Sequence, residues 1–287
     1  MEGIAYVNDT FMPLETGQIS IEDRGFQLGD GVYEVIKTYN SVPFALDGHL
    51  NRLDRSLNML ELPLPKSRKE LKRLIREALR RSGFQDALIY LQITRGWAPR
   101  QHAFPDKVKP TLVLTVRRAR SIPQDLYDHG ASAIVTGDER WLRCDIKSIC
   151  ILPNVLAKEK ATRVGAFEAI LARDDRITEG TSSNVFAIKS GRIYTAPEGN
   201  WILSGVTRAH VLDLARRECM IVIEEFFDPE FLMSADEVFI TNTSFEVMPV
   251  VTIDKQSIGD GQPGKITCRL GQLYKKEVLL HTTQTVL

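Results

Sequence analysis

A lysine stands near the end of RWLRCDIKSIC, residues 140–150, and Glu179 opens the polar part of ITEGTSSN, residues 177–184. Further on, ILSGVTRAHVLDLARRE, residues 202–218, sets Gly205, Val206 and Thr207 where a helix begins, and TNTSFEVMPV, residues 241–250, puts Thr243 and Ser244 at a strand end. These residue types divide one chemistry among them. The Lys147 amine can condense with an aldehyde, the Glu179 carboxylate can sit on a protonated ring nitrogen, and the free amides of a helix start, with nearby hydroxyls, can hold a phosphate. Taken singly, each has a plainer reading: Lys147 a solvated strand residue, ITEGTSSN a turn, the GVT segment an ordinary helix cap. Taken together, they supply what pyridoxal 5'-phosphate asks of a protein.

Other familiar chemistries are missing. There is no GxSxG elbow, and the five histidines at 49, 102, 129, 210 and 281 have no serine-nucleophile context. GDGQPGKIT, residues 259–267, supplies GxxxxGK but has Ile266 where the magnesium-binding Ser or Thr belongs, so it reads as a glycine-rich turn. LGDGVYE has Glu34 where a dinucleotide fingerprint wants its third glycine. Cys144, Cys150, Cys219 and Cys268 form no CxxC pair and no zinc spacing, and read as reduced, mostly buried thiols. No metal site is expected. The 37 basic residues balance the 37 acidic ones, which gives no field to draw nucleic acid or an anionic membrane. The start MEGIAYVNDT has no signal-like segment, and no apolar run approaches membrane-spanning length, so a cytoplasmic soluble protein is expected.

These groups must be positioned by two regions of mixed character. The spacing predicts a hairpin over 4–12 around Asn8 and Asp9, then a helix with Leu46, Leu50, Leu53, Leu57 and Leu60 on one face. A second helix starts at the Ser67/Glu70 capping box, carries Leu71, Leu74, Ile75, Ala78 and Leu79, and closes at Gly83. Strands follow at 87–95 and 111–117. The domains expected are an N-terminal α+β domain over 1–120, a linker over 121–130 and a C-terminal cofactor-binding domain over 131–287. In the latter, strands are predicted near 131–136, 141–149, 167–172, 176–188, 219–225, 236–241 and 247–253, with helices at 154–164, 206–218 and 229–234. The 141–149 strand rests on period two: Leu142, Cys144, Ile146 and Ile149 on one face, Trp141, Arg143, Asp145 and Lys147 on the other.

The blocks RGFQLGDGVYEV (24–35), QITRG (92–96), PRQHAFP (99–105), RWLRCDIKS (140–148), ITEGTSSNVF (177–186), GVTR (205–208) and TNTSFEVMPV (241–250) together resemble the class IV, fold type IV, pyridoxal-phosphate aminotransferases. They follow the family's order and span nearly the whole chain. The resemblance implies an α/β protein, an α+β N-terminal domain plus a barrel-like α/β C-terminal domain, with the active site between them and a homodimer in solution. It implies a transaminase passing the amino group of a D-amino acid, of the D-alanine, D-glutamate or D-aspartate class, to an α-keto acid such as α-ketoglutarate in two half-reactions. Lys147 is then the cofactor lysine and Glu179 the partner of the pyridine nitrogen. Arg52, Val206, Thr207, Thr243 and Ser244 would hold the phosphate, and Leu203 would pack on the ring. Tyr33, Arg100 and His102 would trap the substrate carboxylate, the last two on a loop given by the neighbouring subunit. Asn242 stands where a similar enzyme more often has Ser. Branched-chain L-amino acid transaminase, R-selective amine transaminase, aminodeoxychorismate lyase and a non-catalytic cofactor-binding protein share the Lys and Glu logic.

Overall fold

Asn8 and Asp9 take φ of 39° and 75° between β1 (Ile4–Val7) and β2 (Thr10–Pro13), the left-handed pair that a two-residue hairpin needs. After a short helix α1 (Arg24–Leu28) come β3 (Gly31–Tyr39) and β4 (Val42–Pro43), then α2 (Leu46–Met59) and α3 (Arg68–Ser82), and strands β5 (Ala87–Thr94) and β6 (Thr111–Arg118). The strands make one antiparallel sheet in the order β2-β1-β6-β5-β3-β4. The leucine stripe of α2 buries Leu50, Leu53 and Leu57 with Ile36, Ile89 and Leu91 of the sheet. Each such side chain contributes about 1.5–3 kcal/mol on leaving water. Ser67 and Glu70 form the reciprocal capping box of α3, and Gly83 closes it at φ 69°.

The computed structural model describes residues 3–284. They fall into two units: the chain to Arg120 with Ile146–Cys150 and the chain from His281, and Ser121–Asp145 with Ile151–Leu280. The boundaries therefore differ from a simple cut after residue 120, because the five residues around Lys147 group with the first unit. The segment expected as a linker carries α4 (Gln124–Asp128), and the Tyr127 hydroxyl donates to the Phe245 carbonyl at 3.0 Å.

The second unit continues with β7 (Ala131–Gly137), α5 (Leu152–Arg163), β8 (Glu168–Arg173), β9 (Arg176–Gly180), β10 (Asn184–Lys189), β11 (Arg192–Thr195) and α6 (Val206–Arg217). Then come β12 (Val222–Glu224), α7 (Pro229–Met233), β13 (Glu237–Asn242), β14 (Glu246–Ile253), β15 (Gln256–Ser257) and α8 (Lys265–Gln284). Its mixed sheet runs β12-β11-β10-β13-β14-β7-β8-β9, with β15 on β14. β9 and β10 lie five steps apart in that order, about 24 Å in a flat sheet, yet only Thr181, Ser182 and Ser183 join them, a reach of about 14 Å at most. The sheet must curl to satisfy the connection, which gives the barrel-like form expected.

Residues 141–149 form no strand, against expectation. Leu142 is exposed rather than on a buried face, while Cys144, Ile146 and Ser148 keep the alternation. The cause is that the backbone partners lie outside any ladder: Cys144 N–H donates to the Asn200 carbonyl, and Ser148 makes a single bridge with Val32. Of the four cysteines only Cys144 is buried, the other three being exposed.

Candidate active site

In the first unit, Lys147 is held by its backbone. Its N–H donates to the buried Ser56 hydroxyl at 3.2 Å, and its carbonyl accepts from Tyr33 N–H at 3.0 Å. The side chain is half-buried, with Nζ 4.4 Å from the centroid of the Tyr33 ring, and no ion pair among the described residues engages it. Tyr33 in turn stacks on Tyr90 at 5.5 Å. The structure thus brings two of the expected residues together through adjacent backbone.

The next residue on β3 is Glu34, fully buried, and it accounts for Arg52. The Arg52 Nε and Nη2 donate to the two Glu34 oxygens at 2.7 and 2.8 Å, a bidentate fork, and His49 Nδ1 lies 2.9 Å from Glu34 Oε2. Burial alone would raise the Glu34 carboxyl, but the Arg52 charge and the hydrogen bonds of Arg52 and His49 outweigh it and hold it below the usual carboxylate range. Burial pushes the His49 imidazole below its ordinary value against the pull of Glu34, so His49 is neutral with Nδ1–H facing the carboxylate. Arg52 is therefore a clamped, buried cation. Helical periodicity alone places it among solvated arginines, and only its pairing with Glu34 distinguishes it.

The second unit carries Glu179, also buried. Oε2 accepts from Leu203 N–H at 2.9 Å and from Asn184 Nδ2 at 3.1 Å, and Oε1 pairs with Arg140 Nη1. Asn184 Nδ2 also donates to the Leu203 carbonyl at 2.9 Å, so Leu203 is pinned at both backbone polar groups. Arg140 is shared: its Nε and Nη2 bond the buried Asp138 at 2.9 and 2.8 Å. Burial raises the Glu179 carboxyl, and Arg140, half occupied by Asp138, does not bring it back. Sequence reasoning does not single out Arg140, Asp138 or Asn184; Arg140 and Asn184 stand inside quoted blocks without a role. The Cys144 thiol, pushed up to about 11 chiefly by burial, is protonated at neutral pH and is no nucleophile.

Two helix starts in this unit contrast. At α8, Glu237 accepts from the amides of Ile266 and Thr267 at 3.0 and 2.8 Å, so a protein carboxylate fills the end of the GxxxxGK segment. A Cβ on Gly264 would fall 1.9 Å from Glu237 Cδ, which is why glycine is needed there. At α6, the N-cap Gly205 makes no side-chain cap, and no protein acceptor among the described residues takes the amides of Val206 and Thr207. Gly205 is likewise obligatory, since its Cβ would meet Asn184 Oδ1 at 2.0 Å. Thr207 is buried and its hydroxyl meets the Tyr274 phenol. The Thr241 hydroxyl, on β13 beside Asn184, is buried with no hydrogen-bond partner. Thr243 and Ser244 lie in the β13–β14 turn, where Asn242 Oδ1 accepts from the amides of Ser244 and Phe245 at 2.8 Å each. Asn242 thereby shapes the turn from within.

Uncapped amides, a hydroxyl with no partner among the described residues and a carboxylate kept raised by burial in the second unit, and a lysine outside any described ion pair in the first, are groups of the kinds that an anionic cofactor with a basic ring nitrogen needs. Arg100 and His102 are exposed. No group of described His, Cys, Asp and Glu residues could hold a metal ion, and no described helix is long and apolar enough to cross a membrane.

This set defines a pyridoxal-phosphate enzyme. Residues 31–253 match the amino-transferase class IV family, and the chain belongs to it. It is 44% identical over 277 residues to the D-alanine aminotransferase of Staphylococcus epidermidis, covering 96% of this chain and 98% of that one. It is 43% identical over 279 residues to the D-alanine aminotransferase of Bacillus licheniformis, with 97% and 98% covered. Among solved structures it resembles the Escherichia coli branched-chain amino acid aminotransferase, with TM-score 0.91 and 25% identity over 96% of this chain and 94% of that one. The T.th. branched-chain amino acid aminotransferase with pyridoxamine 5'-phosphate aligns with TM-score 0.90 and 28% identity, covering 97% and 94%.

Proposed function

We propose that the protein is a D-amino acid transaminase that moves the amino group of D-alanine, D-glutamate or D-aspartate to an α-keto acid such as α-ketoglutarate. Pyridoxal 5'-phosphate, when bound, supplies an electron sink for the charge left as the substrate Cα–H is removed. The observation that carries the reading is Glu179: a buried carboxylate, aimed by Leu203, Asn184 and Arg140, holds the proton on the ring nitrogen. Lys147 would hold the cofactor through its amine and would move the proton at the substrate Cα. Val206 and Thr207 at the α6 start, with Arg52, Thr243 and Ser244, hold the phosphate, and Leu203 lies against the ring. Arg100 and His102, with Tyr33, hold the substrate carboxylate. Since the lysine works from one face, the side on which that cation sits selects the enantiomer.

The D-alanine enzymes at 43–44% identity support this substrate class over the branched-chain L-amino acids, whose enzymes share the fold at 25–28%. We also propose a cytoplasmic homodimer; Ile21, Phe26, Trp97 and Phe104 are large apolar side chains exposed on the first unit, as a face for a second copy would have. A panel of D- and L-amino acids with α-ketoglutarate, run on the parent and on Lys147→Ala, tests the reading. D-alanine turnover in the parent and none in the variant, with loss of the reducible visible chromophore, is expected. Preference for L-leucine in the parent would move the branched-chain reading ahead.

A further inference from the structure

The blocks RGFQLGD and ITRG contain two arginines and an aspartate that the cofactor chemistry does not use. Arg24 is 2% exposed, yet it is surrounded by oxygen. Its Nη1 donates to the carbonyls of Gln101 at 2.6 Å and Ala103 at 3.3 Å, its Nη2 to that of His102 at 3.5 Å, and its Nε to Asp30 Oδ2 at 2.8 Å. The same Asp30 oxygen accepts from Arg95 Nε at 2.8 Å. Arg95 also ties down the carbonyls of Leu60 and Glu61, at 2.7 and 3.1 Å, and its guanidinium lies 3.6 Å from the Phe104 ring centroid. Backbone bonds from Arg24 N–H to the Gly96 carbonyl and from Arg95 N–H to the Asp30 carbonyl close the arrangement.

One carboxylate cannot neutralise two buried guanidiniums. The surplus positive charge is met by the carbonyl dipoles of three consecutive residues, 101 to 103, whose side chains are exposed and which would otherwise be held only by water. We propose that Arg24, Asp30 and Arg95 are positioning residues that fix the 99–105 loop, and through Arg100 and His102 set the affinity for the substrate carboxylate. The inference rests on the assignment of that loop to the carboxylate. The hydrogen bonds and ion pair of the Arg24 side chain among the described residues go to Asp30 and the loop carbonyls and to neither Lys147 nor Tyr33.

Arg24→Lys keeps a charge beside Asp30, but a single ammonium cannot span three carbonyls. It is expected to lower kcat/KM for D-alanine by about 10- to 100-fold, through KM, while the visible absorbance of the bound cofactor and its pH titration stay parental. In an Arg100→Ala/His102→Ala background the same substitution should change kcat/KM by less than about twofold, because the groups it positions are gone. Equal fold-losses in both backgrounds, parental kinetics in Arg24→Lys, or a shifted cofactor titration would each overturn the brace. Parental D-alanine kinetics in Arg100→Ala alone would overturn the carboxylate assignment itself and the brace with it. If Arg24→Lys does not fold, Phe104→Ala removes the exposed ring under Arg95 and leaves the buried charges in place. A loss of a few fold, about 1 kcal/mol, seen only when Arg100 and His102 are present supports the brace, and its absence overturns it.

Discussion

Glu34 and Glu179 are both buried carboxylates facing an arginine, and they end on opposite sides of the ordinary carboxylate range. The difference lies in how much of the arginine each receives. Glu34 takes two nitrogens of Arg52 and a hydrogen bond from His49, so its charge is met within the protein. Glu179 has one nitrogen of an arginine that Asp138 already grips twice, and although Arg173 also pairs with Asp138 at 3.1 Å, burial keeps the Glu179 carboxyl raised. The first carboxylate is closed, a structural clamp under the strand that carries Tyr33. The second is left raised by its burial, the state expected of the proposed partner of a cationic ring nitrogen. Burial alone does not tell a structural from a functional carboxylate; the share of counter-charge does.

Breaking the clamp should give the largest effect. Glu34→Gln leaves Arg52 buried without its partner and is expected to lower the unfolding free energy by about 3–5 kcal/mol, measured by urea unfolding of the cofactor-loaded protein. An unchanged midpoint would mean that Arg52 finds compensation elsewhere and that the clamp is not structural. Glu179→Gln should do the reverse: cofactor still binds and stability changes little, since burial no longer penalises a charge, while the single-turnover rate with D-alanine falls by about 100- to 1000-fold. A parental rate would end the comparison, because Glu179 would then be no more functional than Glu34.

The smallest effect is in the pH dependence of stability. Glu34 and His49 both have folded values below their unfolded ones of 4.5 and 6.5, so the unfolded chain binds more protons as pH falls. Their contribution is complete above about pH 6.5 and is lost on acidification, first through His49 and then, below 4.5, through Glu34. Glu179 has the opposite sign: its folded value is raised above 4.5, so its contribution is present below that pH and fades as pH rises. Urea midpoints between about pH 7 and 4 should therefore fall more steeply for the parent than for Glu34→Gln. They should fall more steeply in Glu179→Gln than in the parent, because the opposing group has been removed.

Much of this is legible in the sequence where short-range rules apply. The Asn8–Asp9 turn, the leucine stripe of α2 and the capping box of α3 lie where spacing puts them. The strand β3 escapes such a reading because GVYEVIKTY joins the preceding glycines as a failed fingerprint, and its long partner β5 lies more than 50 residues on. The long helix α8 escapes it too, although Leu270, Tyr274 and Val278 recur at steps of four, its start being fixed by Glu237 from β13. At 141–149 a true alternation misleads, since period two marks an extended chain and not the ladder that would make it a strand. At the site, residue types announce Lys147 and Glu179. Glu34 and Arg140 matter through pairings 18 and 39 residues apart that no local pattern encodes, and Asp138 through its hold on Arg140, Arg173 and Thr178.

The five residues Ile146–Cys150 group with the first unit, although the chain on either side of them belongs to the second. The polypeptide crosses from one unit to the other at residues 120, 145, 150 and 280. No single break in the gene can then yield either unit as a continuous stretch. A product ending at Arg120 would keep Tyr33 and Ser56 but lose the backbone that bonds to them, and one starting at Ser121 would carry Lys147 without its anchors. Lys147 and its anchors are thus inherited only together with the whole chain. Exchange by recombination, which spreads self-contained modules among proteins, has no contiguous piece here to carry away.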